Sequence, residues 1–219
     1  LRFPDDPRLY RHRGHRFLSV RDTDSAIADF TRAAELIEGQ NDVVEPDGLP
    51  NDRGIPTSTL HFNIWYHLGL AHFIAGDFDQ AILAYERCLE VSTNPDALVA
   101  TSYWMYMTER LLGRGDQAAA LLAPITDDLD IIENDAYRQL LLLFKGERTA
   151  EQILPDGPES LAQATTLYGI ANWHRFEGRD EEALRTLERL VAVKAQWPSF
   201  GYLAAEADLA RLRDGDVVP

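Results

Sequence analysis

One cysteine, Cys88, is all that 219 residues contain, so no internal disulfide can form and no thiolate cage can close around a metal. No apolar run reaches eighteen residues, which excludes a bilayer-spanning helix of ordinary length. Basic residues are also scarce: 21 Lys and Arg stand against 36 Asp and Glu, a formal charge of −15. That excess repels phosphate backbones and anionic membrane surfaces, so neither nucleic acid nor membrane insertion is expected, and basic or neutral partners are favoured. The chain opens on Leu1 rather than methionine, from which we expect a leader or tag ahead of it. The compartment, cytoplasmic or exported, is left undecided.

Apolar residues, 45% of the chain, are plentiful and recur at helical spacing. Tyr10, Phe17 and Leu18 form one stripe, and Asp22, Thr23 and Asp24 then offer the short oxygen-bearing side chains of a helix cap. A second helix follows with Ala26, Ile27, Phe30, Ala33, Ala34 and Ile37 on one face, leaving Asp29, Arg32 and Glu35 to water. Residues 38–58 lose the period and read as a long loop containing Asp42, Glu45, Asp47 and Asp52. They lack the ligand spacing of an EF-hand, which leaves a solvated loop or a lid carrying Arg53.

From Asn63 to Val91 two helices fold back about Gly76; Gly69, with no β-carbon, is expected to let the helices meet at the level of Ala81. Asn94 and Pro95 supply the next cap and first turn. Further hairpins are expected over 95–124, 134–154 and 158–194, with Pro155 ending one, Pro158 opening the next and Asp180 capping its second helix. A last helix over 199–213 gathers Phe200, Leu203, Ala204, Ala207 and Ala210. Such a stripe suits a helix that covers an exposed end.

The small residue early in each second helix is Ala26, Ala81, Ala118, Ala150 and Ala183, at intervals of 55, 37, 32 and 33; the first shrinks to about 34 once the loop of roughly twenty residues is set aside. The set Trp65, Leu68, Gly69, Ala81 and Tyr85, echoed by Tyr10, Gly14, Phe17, Ala26, Phe30 and Ala33, resembles the tetratricopeptide repeat. Ser102 and Tyr106 in the third copy, and Leu167 and Ala171 in the fifth, depart from the pattern. The resemblance implies an all-α, superhelical array of antiparallel hairpins (8–37, 59–92, 95–124, 134–154 and 158–194) with a capping helix, one domain over 1–219.

The same resemblance implies first helices lining a concave groove. Its wall would then hold Asn63, Tyr66, Leu70 and Phe73 from the second hairpin, Tyr103, Met107 and Arg110 from the third, and Tyr168, Asn172 and Arg175 from the fifth. Aromatics would give contact area there, and Asn and Arg would hold a backbone or a carboxylate. The alternative is that these aromatics fill the core. The function implied is a scaffold for a protein or peptide. A ligand pocket or enzyme site closed by the 38–58 loop, using His61 or Arg53, is a second reading, and self-association through edge copies and the final helix is a third.

No cofactor and no catalytic residue is expected. His61 and His72 share a helix face roughly 16 Å apart while His67 points elsewhere, and His12 with His15 lacks a further ligand, so no metal is expected either. Cys88 falls on a packing face, where a thiol is buried and inert.

Overall fold

The computed structural model describes residues 3–45, 51–154 and 161–214. Asp47, Pro155 and Pro158 lie outside them. Among the described residues the chain is a series of helical hairpins: α1 Pro7–Ser19 with α2 Thr23–Leu36, α3 Leu60–Ala75 with α4 Phe78–Glu90, α5 Pro95–Leu111 with α6 Gly115–Leu122, α7 Asp135–Phe144 with the single turn α8 Ala150–Ile153, and α9 Leu161–Phe176 with α10 Asp180–Ala192. A 3-10 turn, Lys194–Gln196, leads into α11, Phe200–Asp214. None of these helices is long and apolar enough to cross a membrane.

The starts and stops follow from local chemistry. Asp22, Thr59 and Asn94 each accept a backbone N–H from the first turn of α2, α3 and α5. Gly76 ends α3 in the left-handed region at φ 88°, where a side chain would be strained. Asp180 does not cap α10 as expected: Arg179 holds that position, and Asp180, Glu181 and Glu182 fill the first turn, where the helix dipole favours carboxylates.

The chain divides into two compact units. The first contains 3–45, 51–105 and 130–134; the second contains 106–129, 135–154 and 161–214, so α5 begins in one and ends in the other.

In the first unit α1 packs on α2, α2 on α3 and α3 on α4, around the fully buried Phe30, Ile64, Leu70, Phe73 and Tyr85. Gly69 is covered by the Tyr85 ring rather than met by Ala81, because the aromatic one turn further along α4 lies across it. Asp29 does not face water: it is buried and bridges bidentately to Arg13 of α1, at 2.6 and 2.7 Å, so its charge is neutralised between helices.

The described parts of the long loop are pinned to the body. Residues 42–45 run antiparallel to 58–61: the Leu60 N–H donates to the Val43 carbonyl at 2.9 Å, and the Glu45 N–H to Ser58 at 3.2 Å. Residues 51–57 lie against 130–134 through Arg53 on Asp130, at 2.7 Å, and through Asn51 and Thr57 on Glu133. Residues 130–134 are held in turn by the buried Asp96 at the start of α5, whose carboxylate accepts the N–H groups of Ile132, Glu133 and Asn134 at 2.7 to 3.0 Å.

In the second unit α9 packs on α7, α10 and α11, over the buried Leu140, Leu141, Leu142 and Leu143. Gly169 admits the Leu140 side chain, and Gly201 meets the Ala164 carbonyl, where an added Cβ would lie 2.7 Å from its oxygen. The buried face of α11 runs through Gly201, Ala204, Ala205 and Asp208, not the predicted Phe200, Ala207 and Ala210, of which Ala210 is exposed. Asp208 disguises the true stripe. Its carboxylate is satisfied by the Tyr168 hydroxyl at 2.9 Å and by Arg211 at 2.6 Å.

Candidate functional site

Helix α1 is the cationic exception in an acidic chain, with Arg8, Arg11, His12, Arg13, His15 and Arg16 and no acid between Pro7 and Ser19. Arg8 pairs with Asp6 and Arg13 with Asp29, whereas Arg11 points to the Glu45 side, with its side chain only 9% exposed. Its Nη2 donates to Oε2 of Glu45 at 2.5 Å, and Nη1 lies 3.2 Å from Nδ1 of His12. Asn63, on α3, donates to the same Glu45 oxygen at 2.6 Å and lies 3.2 Å from the Ser58 hydroxyl. Two first helices thus grip one buried carboxylate.

His67 lies beside this cluster, stacked on Phe30 and edge-on to His15. Its Nδ1 is 2.5 Å from the Asn63 carbonyl oxygen, which can only accept, so Nδ1 carries the ring proton. Burial, reinforced by the neighbouring His15, holds His67 well below the usual histidine range. Burial first, then Arg16 and Arg11, lowers His15 as well.

The predicted groove residues divide by burial. Asn63, Arg110 and Arg175 keep part of their surface in water. Tyr66, Leu70, Phe73, Tyr103, Met107, Tyr168 and Asn172 are buried and take core roles. The Tyr66 hydroxyl accepts from Trp104 Nε1 at 2.8 Å, Phe73 and Tyr103 stand edge-on to Trp104, and the Asn172 amide returns to the Tyr168 carbonyl at 3.0 Å. Large side chains at these positions fill the space between closely packed helices.

In the second unit Arg110 lies over the Phe176 ring, 4.6 Å from its centroid, and donates to the Tyr106 hydroxyl at 2.9 Å and the Phe176 carbonyl at 3.1 Å. Tyr106 stacks on Phe144 at 4.6 Å and 10°. Where the repeat pattern would place a glycine, Tyr106 therefore builds an aromatic platform with a guanidinium at its edge.

A different face of the first unit carries a cleft of about 570 Å³ between α2, α3 and α4, lined among others by Glu35, Gln40, His61, Trp65, Leu68 and Arg87. Arg87 lies over the Trp65 ring at 5.6 Å. Sequence reasoning assigned Trp65 to packing alone; its half-buried ring also opens onto solvent.

Among the described residues no three His, Cys, Asp or Glu side chains converge to hold a metal. Cys88 is fully buried with Sγ 3.2 Å from the Thr101 hydroxyl, and burial pushes its thiol up to about 12. At neutral pH it is no nucleophile.

Paired helices repeated along the chain define an all-α helical-repeat protein. Residues 62–94, which contain α4 and most of α3, and 166–199, which contain α10 and most of α9, match the tetratricopeptide repeat. The chain thus carries tetratricopeptide repeats in each of its two units. Repeats of this family generally serve as protein-interaction scaffolds and are typically non-catalytic. A comparison with curated proteins finds no match.

Proposed function

We propose that the chain is a scaffold that holds a protein or peptide segment on a first-helix face, through Asn63 in the first unit or through Arg110 and Arg175 in the second. The observation that carries this reading is the placement of Arg110: a part-buried side chain whose guanidinium is held in one orientation by the Tyr106 hydroxyl and the Phe176 carbonyl and lies over the half-buried Phe176 ring, so that its remaining N–H groups are directed. The buried members of the predicted set, Tyr66, Phe73, Tyr103, Met107, Tyr168 and Asn172, support these faces from beneath.

The net charge of −15 favours basic or neutral partners for the molecule as a whole. The acid-free helix α1 reverses that preference locally, and the first-helix face of the first unit suits an acidic segment.

A displayed library of random linear peptides, selected on the folded protein, tests the proposal. Peptides should emerge whose binding falls tenfold or more in Asn63→Ala, or in the paired Arg110→Ala and Arg175→Ala variant, with the helical circular dichroism unchanged. Loss instead on Trp65→Ala with Arg87→Ala would move the site to the other cleft.

A further inference from the structure

We propose that Glu45 is an internal occupant of an acid-binding site, so that residues 40–45 keep the first-helix face of the first unit closed until an acidic side chain of a partner displaces it. The inference rests on the scaffold reading and adds to it a partner chemistry and a control.

The site is built for a carboxylate. Arg11 and Asn63 come from two separate hairpins and converge on one oxygen of Glu45, whose side chain is 5% exposed. The Arg11 cation cannot be left there alone, because removing one partner of a buried pair strands an uncompensated charge. Opening is therefore an exchange of one carboxylate for another, and a neutral segment gains nothing by entering.

The occupant is placed to leave. Glu45 lies in the stretch of about twenty residues by which the first repeat interval exceeds the others, so it belongs to no hairpin. Asp42, Val43 and Val44 are exposed, and they are joined to the body by the two backbone bonds to 58–60 and by Asp42, which accepts the His61 N–H at 3.0 Å. Glu45 is the deep anchor of this strap, and the packed pairs Gly14 with Phe30 and Gly69 with Tyr85 are formed by helix residues outside it.

The test uses a fluorescein-labelled hexaglutamate peptide, with anisotropy measured at fixed ionic strength because exposed charges are screened by salt. Glu45→Gln should bind it at least tenfold more tightly than the unaltered protein, and adding Arg11→Gln should remove the gain. Asp42→Ala, which loosens the strap and leaves Glu45 and Arg11 in place, should give a smaller gain of the same sign. No gain in a folded Glu45→Gln protein, or a gain that survives Arg11→Gln, overturns the proposal. If Glu45→Gln does not fold, Asp42→Ala decides, and equal affinity with the unaltered protein overturns it. Library-selected peptides that depend on Arg110 and Arg175 should be indifferent to Glu45→Gln, so the scaffold reading can stand where this one fails; the absence of any selected peptide would count against the scaffold itself.

Discussion

The ring of Tyr85 lies against Gly69 so closely that a Cβ built on the glycine would sit 2.5 Å from its Cε1 atom. Phe30 covers Gly14 in the same way, with the nearest ring atom at 2.9 Å, and each aromatic follows its glycine by sixteen residues. This glycine-on-ring contact holds the first two hairpins shut.

Gly69→Ala sets about 1 kcal/mol of helix propensity gained against an overpacking cost of about 1–3 kcal/mol. We expect a net loss of up to about 2 kcal/mol in urea unfolding. Gly14→Ala, with the looser contact, should fall nearer to neutral. Equal effects at the two sites would show that ring contact is not the controlling term.

Asp96 is the peg that fixes residues 130–134, and those residues in turn carry the Arg53, Asn51 and Thr57 contacts of the long loop. Asp96→Ala leaves three backbone N–H groups without their charged acceptor and should cost about 3 kcal/mol. Amide exchange at 132–134 should rise together with exchange at 51–57. Unchanged protection at 51–57 would separate the two segments.

His15, His67, His72 and His174 are all held below the ordinary histidine range, with burial the first cause in each. The unfolded chain binds their protons first, near pH 6.5. Their contribution to stability is therefore present above that pH and is lost as the pH falls below it toward the lowered folded values. The melting temperature should drop between pH 7.5 and 5, and His67→Phe, which removes the most deeply buried of the four, should flatten the drop. A melting temperature that rises on acidification would contradict the sign.

The Cys88 thiol, pushed up to about 12 by burial, should resist a thiol-reactive dye at pH 8 in the native protein and react at once in denaturant. Rapid native labelling would mean that the α3–α4 hairpin opens far more readily than its packing implies.

The helices were legible because their small and apolar residues recur at three and four positions, and the repeat was legible because Trp65, Gly69, Ala81 and Tyr85 are packing chemistry. What escaped was every acid whose partner is distant in sequence. Asp29 has the pattern of a solvent-facing residue because nothing local announces Arg13; Asp208 conceals the stripe of α11 because Tyr168 lies forty residues away; and Glu45 is one carboxylate among several in a loop until the fold brings Arg11 and Asn63 around it. The groove residues were ambiguous for the opposite reason. A first-helix aromatic such as Phe73 or Tyr103 has the same pattern whether it faces a partner or a neighbouring helix, and here the edge contacts to Trp104 decide.

The central claim is that first-helix faces receive the partner, and mapping amide chemical shifts on titration with a library-selected peptide tests it most directly. The account predicts that the largest shifts cluster around Asn63 on α3 or around Arg110 and Arg175 on α5 and α9. Shifts centred instead on the cleft where Trp65 of α3 meets α2 and Arg87 of α4, with Asn63, Arg110 and Arg175 unmoved, would contradict it.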